Sequence, residues 1–230
     1  MALFAKKGRR VAALGAAGLG ACAVLAACSP VQAGAAAVVG DQRITVSSLD
    51  TQVSNLQKAA KPYASTMQIT TAQMPSVVLS WLIRFAIMDE TAAANGISVT
   101  DSQTEAALSS LGSVASQNGL SSTSELLIVN GIPPQLFPQV GQWEAQQTAY
   151  ALKLNNGKEP TTTAAQNATT ASLTKAQCTT AKSLSIQVSP QFGRLDYTPP
   201  YVKVVPAPDK LSQPAGKPTP ASTTGLAPAC

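Results

Sequence analysis

One stretch constrains the fold more than any other. Between Pro75-Ser76 and Asn95-Gly96, the residues Val77, Val78, Leu79, Trp81, Leu82, Ile83, Phe85, Ile87 and Met88 leave almost no polar face. The spacing predicts a helix over 76–95, opened by a proline and stopped by Asn-Gly. A helix that is apolar nearly all round has to be buried. It falls short of the roughly 20 apolar residues that a membrane span requires, and Arg84 interrupts it. The rest of the chain therefore has to supply elements that surround it.

Those elements read mostly as helices. Ala37-Val38-Val39-Gly40-Asp41-Gln42-Arg43-Ile44-Thr45 reads as two short strands around a Gly-Asp turn. Thr45 or Ser47 then caps a helix in which Val46, Leu49, Val53 and Leu56 recur at helical spacing, to about Lys61 and Pro62. Thr100 with Gln103 has capping-box spacing and opens a third helix, to about Asn118-Gly119. Ser122 with Glu125 opens a short one to Val129, closed by Asn130-Gly131. Pro133, Pro134, Phe137 and Pro138 read as an exposed loop tip, before a long amphipathic helix from about 136–138 to Leu154. Residues 158–182 read as a linker with a weak helix at its end, and Leu184–Val188 alternates as a strand does. From 197 the chain is Pro-rich and reads as an extended or disordered tail.

The N-terminus has a different character. Lys6, Lys7, Arg9 and Arg10 precede an uncharged Ala/Gly/Leu/Val run from Val11 to Ala27. That is the pattern of a secretory signal over 1–27, followed by a short tether over 28–36. Leu25-Ala26-Ala27-Cys28 resembles the bacterial lipobox, which implies cleavage before Cys28 and lipidation of its sulfur. Leu19-Gly20-Ala21-Cys22 is a rival lipobox. Cysteine arithmetic favours Cys28, because Cys22 then leaves with the signal and Cys178 and Cys230 remain as an even pair. Joining them outside the cytoplasm would close a loop of about 50 residues, worth roughly 4 kcal/mol on the chain-entropy model. The expected location is the extracytoplasmic face of the cell membrane, held by the lipid.

Composition excludes several functions. The net charge is +5, but four of the positive charges belong to the signal, which leaves about +1 for the remainder. No basic stripe with interleaved aromatics points to nucleic acid. The chain has no histidine, so Ser-His-Asp and Cys-His catalysis and histidine metal sites are excluded. No cofactor, metal or small-molecule substrate is expected. Adjacent Asp89-Glu90 diverge on a helix and read as solvated, and Asp101 with Glu105 suits the first turn of a helix.

The opening strand pair, the helices with an Asn95-Gly-Ile-Ser-Val-Thr-Asp101 element, and a late Val188-Ser-Pro-Gln-Phe-Gly193 segment together resemble the N-terminal chaperone domain of the SurA and PrsA family. The chain resembles the short lipoprotein versions of that family. Gly40-Asp41 stands where the family commonly has Asn-Gly, and the late segment keeps Val, Pro, Phe and Gly while losing an Asn and an Arg. The resemblance implies a mainly α domain over 37–196, with a small β element in which the first and last strands meet. It further implies a cradle for unfolded or partly folded exported proteins. A parvulin prolyl-isomerase domain, common in fuller members, has no room in 158–182, so no isomerase activity is expected. Trp81, Phe85, Phe137, Trp143 and Tyr150 are the large aromatics that could grip a client, or could be ordinary core between helices. The partner is then an exported client or, alternatively, one defined envelope protein.

Overall fold

The computed structural model describes residues 34–198 and 202–206. The signal, the lipobox, Cys28 and Cys230 lie outside them. The protein opens with strands β1 (Ala35–Val39) and β2 (Gln42–Thr45), and continues through α1 (Val46–Ala59), α2 (Met74–Ala94), α3 (Asp101–Gln117), α4 (Thr123–Val129), α5 (Phe137–Leu154) and α6 (Thr163–Ser183). Strands β3 (Gln187–Val188), β4 (Arg194–Asp196) and β5 (Lys203–Val205) follow. The fold is mainly helical, with a small antiparallel sheet.

Helix α2 is the hub, in contact with α1, α5, α6, β1 and β5. Val78, Leu79, Ile83 and Met88 on it are wholly buried, as an all-round apolar helix requires. Leu49 and Leu56 on α1 join the same core, as do Ala36 and Ala37 on β1. The alanines let the strand lie close to the helix surface. Strand β1 is central in the order β2-β1-β3, pairing antiparallel with β2 from Val39↔Gln42 to Ala35↔Thr45 and with β3 at Ala37↔Val188 and Val38↔Gln187. The first strand thus meets the late strand across about 150 residues of sequence. A second, two-stranded sheet pairs β4 with β5, from Arg194↔Val205 to Asp196↔Lys203.

Local chemistry sets the helix ends. Thr45 caps α1, its hydroxyl accepting from the Ser48 amide at 3.1 Å. Thr100 and Gln103 form a reciprocal capping box, with the Thr100 amide donating to Gln103 Oε1 at 2.8 Å and the Gln103 amide to Thr100 Oγ1 at 3.2 Å. At α4 the box is offset. Ser122 Oγ takes the Glu125 amide, but the Glu125 carboxylate reaches the Ser121 amide at 2.9 Å, and Ser121's hydroxyl and amide hold that carboxyl below its ordinary pKa. Gly131 closes α4 with φ +81°, and a Cβ there would stand 2.7 Å from side-chain atoms of Ile69 and Val77. Only glycine satisfies both the backbone sign and the space.

Three segments depart from the reading of the sequence. Residues 163–183 form one 21-residue helix, not a linker with a weak end. Thr162 caps it through the Ala165 amide at 3.2 Å, and Ala181 is fully buried. Pro133 is fully buried and Phe137 is half-buried against the core, so the Pro-rich segment before α5 is only partly a surface tip. Finally, the Pro-rich tail adds to the core, because Val202 and Val204 flank and enter β5 and pack in the central cluster.

Candidate functional site

From Met74 to Met88, helix α2 is apolar except for a polar file at Ser76, Ser80 and Arg84, each one turn beyond the last. Residues four apart on a helix lie on one face. That face carries β5. The Ser80 hydroxyl donates to the Ser76 carbonyl at 2.6 Å and accepts the buried Val204 amide at 2.8 Å. Arg84 Nε donates to the Val202 carbonyl at 2.9 Å. Its guanidinium carbon sits 4.9 Å from the centroid of the Trp81 ring, a cation–π distance. Two side chains on one helix thus hold two backbone groups of one extended segment, while Val202 and Val204 are buried and Lys203 is exposed.

The β4–β5 hairpin holds the segment from the other side. Gly193 has φ +123°, and a Cβ there would lie 2.1 Å from the Val205 carbonyl oxygen, so this close approach needs glycine. Asp196 accepts from the Thr198 amide at 3.0 Å and its hydroxyl at 2.6 Å, which keeps the carboxyl below its usual value. The Lys203–Asp196 ion pair, at 4.0 Å and in solvent, contributes little. Burial pushes the Tyr197 phenol up.

The aromatics fall into two groups. Trp81, Phe85 and Trp143 form a trio. Trp81 lies 5.8 Å from Phe85 at a tilt of 33° and 5.8 Å from Trp143 edge-on at 87°. The Trp81 indole N–H points to the Asn130 carbonyl at 3.4 Å, a long contact. Phe85 and Trp143 are buried. Phe137 starts α5 and packs on the core, and buried Tyr150 has its hydroxyl 3.5 Å from Ser172 Oγ on α6. These five side chains therefore do not line one open cradle. Among the described residues, the large apolar side chains left exposed are Val114 and Leu154, on α3 and α5.

Asp89, read as solvated, ties α2 to α5 by accepting from Gln142 Nε2 at 2.9 Å and Gln146 Nε2 at 2.8 Å. On the same helix as those glutamines, burial pushes the Glu144 carboxyl up. Half-buried Cys178 lies on α6. Its expected pairing with Cys230 extends beyond the described residues. Among the described residues there is no group of three His, Cys, Asp or Glu that could hold a metal, and no helix long and apolar enough to cross a membrane. Ser80, Arg84, Val202 and Val204 were not singled out in the sequence. The signal that could have found them was the 76/80/84 polar file in a stretch, 74–88, that is otherwise apolar.

Taken together, these elements form a mainly helical domain, closed by a small sheet in which the first strand pairs with a late one. The family model for the SurA-like N-terminal domain matches residues 11–137, more than half of the chain. The chain belongs to the SurA-like N-terminal domain family. No curated protein and no solved structure matches it.

Proposed function

We propose that this protein is an extracytoplasmic lipoprotein, anchored through Cys28, that holds unfolded or partly folded exported proteins without catalysing a reaction on them. Membership of the SurA-like N-terminal domain family is the observation that carries this reading. The lipobox-like Leu25–Cys28 and the charged, then apolar N-terminus support the anchor. Fuller members of the family often carry a parvulin domain, for which residues 158–182 are too few, and this supports a reading without isomerase activity. The test is suppression of aggregation of several chemically unrelated unfolded proteins by the soluble mature protein. No effect at several-fold molar excess sinks the reading.

A second reading has one specific observation in its favour. The described surface carries scarcely any large exposed apolar side chains, and the aromatics pack inward. That suits an envelope adaptor that grips one defined partner. A single stoichiometric partner in a pull-down, not displaced by excess unfolded protein, would select this reading over the first.

A further inference from the structure

We propose that the Ser80–Arg84 face of α2 is a binding site for an extended peptide segment with apolar residues at alternate positions. Residues 202–206 fill this site as the protein's own stand-in, and a client segment displaces them. The inference deepens the client-holding reading and rests on it.

Four observations lead there. First, the face reads backbone, not sequence. Ser80 accepts from a backbone amide and Arg84 donates to a backbone carbonyl, and every non-proline residue offers both groups. Second, the spacing fits an extended segment in general. One four-residue step along a helix advances about 6 Å, and two residues of strand advance about 6.6 Å. Ser80 and Arg84 therefore meet Val204 and Val202 in register. Third, the only side-chain selection is alternation. Val202 and Val204 are 7% and 6% exposed, with Lys203 facing solvent between them. Fourth, the incumbent's strand pairing is short. β5 is three residues long and pairs only with the three-residue β4, in a sheet separate from the main one. Two-stranded hairpins are marginal on their own.

The same arrangement reconciles a closed surface with a holding function. While 202–206 is seated, the apolar surface beneath Val202 and Val204 is covered. A client strand with the same alternation offers the same two hydrogen bonds and the same apolar contacts, so the exchange costs few bonds. An isolated peptide competes poorly because the seated segment is tethered to the site, which gives it a high effective concentration.

The experiment uses the full mature protein and a fluorescein-labelled peptide Tyr-Val-Lys-Val-Val-Pro, read by fluorescence anisotropy. The variant with both Val202→Asp and Val204→Asp should bind this peptide at least tenfold more tightly than wild type does. A peptide with Asp at the first and second valine positions should not bind. Adding Ser80→Ala and Arg84→Gln to the loosened variant should weaken binding at least tenfold. A loosened variant that is folded by circular dichroism and binds no better than wild type overturns the proposal. Should the loosened variant not fold, hydrogen exchange on the wild-type protein decides. A Val204 amide that exchanges at least a hundredfold faster than those of Leu79 and Ile83 supports a displaceable segment, and exchange at a common rate overturns it. Suppression of aggregation together with a negative peptide result leaves the holding function intact and removes only this site.

Discussion

Ser80→Ala removes one oxygen, and the structure says where the cost falls. The hydroxyl is the acceptor for the Val204 amide, which is buried. Without it that N–H has neither partner nor water, a loss of about 1–3 kcal/mol. Two smaller effects oppose this. Alanine is the better helix former by about 0.5 kcal/mol. The Ser76 carbonyl loses the hydroxyl but keeps its helical acceptor role toward the residue 80 amide. The net loss is then about 1–2 kcal/mol. For a protein of this size each kcal/mol shifts the melting temperature by about 2–4 °C, so melting followed by far-UV circular dichroism should fall by about 2–8 °C.

The loss also has a ceiling. If seating the β5 segment is worth less than the penalty, the segment leaves its site, and the measured loss equals the seating free energy instead. A small loss accompanied by loss of Val204 amide protection would therefore measure how weakly the segment is held. The control is the same substitution in the Val202→Asp, Val204→Asp background. There the amide has already left, so Ser80→Ala should be neutral or slightly stabilising, and the two sites should show a coupling of about 1–2 kcal/mol. An equal loss in both backgrounds refutes the reasoning, since it would place the hydroxyl's value in its bond to Ser76.

Four other outcomes are expected, the first two from the structure and the last two from the sequence and the proposed function. Gly141→Ala places a Cβ 2.6 Å from the Thr104 carbonyl oxygen and 3.1 Å from Leu108 Cβ, where α5 crosses α3. A rigid contact of that kind costs about 1–3 kcal/mol, so the urea midpoint should fall despite the gain in helix propensity. Glu144 has its pKa raised by burial. A raised carboxyl contributes stability that is full below its unfolded pKa and is lost as pH rises through the folded pKa. Glu144→Gln should therefore melt higher than wild type at neutral pH, with the difference shrinking on acidification towards the unfolded value. Cys178→Ser and Cys230→Ser should each lower stability by the same amount, up to roughly 4 kcal/mol, and the double variant by no more, with free-thiol counts to match. Cys28→Ser should abolish labelling by radioactive palmitate and retention in the membrane fraction, while Cys22→Ser should not.

The parts legible in the sequence were those fixed within a few residues. The Thr100–Gln103 box, the Ser122 cap, and the Asn95-Gly96 and Asn130-Gly131 stops are local chemistry, and they sit where the spacing placed them. The burial of α2 followed from its composition alone. What was missed is set by tertiary contact. α6 is made of Thr, Ala, Gln and Asn with no apolar stripe, so periodicity had nothing to register. Its helical form depends on a cap and on docking through Ala181 and Leu173. Pro133 looked like a surface turn residue. It is buried because the αL turn at Gly131 and the Ile132 amide, bonded to the Leu127 carbonyl at 3.0 Å, direct the backbone inward again.

The candidate site shows the same division more sharply. Aromatic residues drew attention because they are large and few, yet size is also what a core uses, and the buried Phe85, Trp143 and Tyr150 went there. Ser80 and Arg84 drew none, since each alone is an ordinary interruption of an apolar helix. A buried helix nevertheless cannot carry a polar file without partners, because each unpaired buried group costs as much as a lost hydrogen bond or more. Ser76 and Ser80 satisfy their hydroxyls on carbonyls three and four residues back, so within this file it is the Arg84 guanidinium that calls for a polar partner outside the helix. A backbone segment meets that need with the fewest demands on sequence, since its polar groups recur at a spacing close to one helical turn. The segment found there, flanking and forming β5, comes from a Pro-rich tail whose composition gave no reason to expect burial. A site that reads backbone groups leaves its mark in the helix that does the reading, and almost none in the segment that is read.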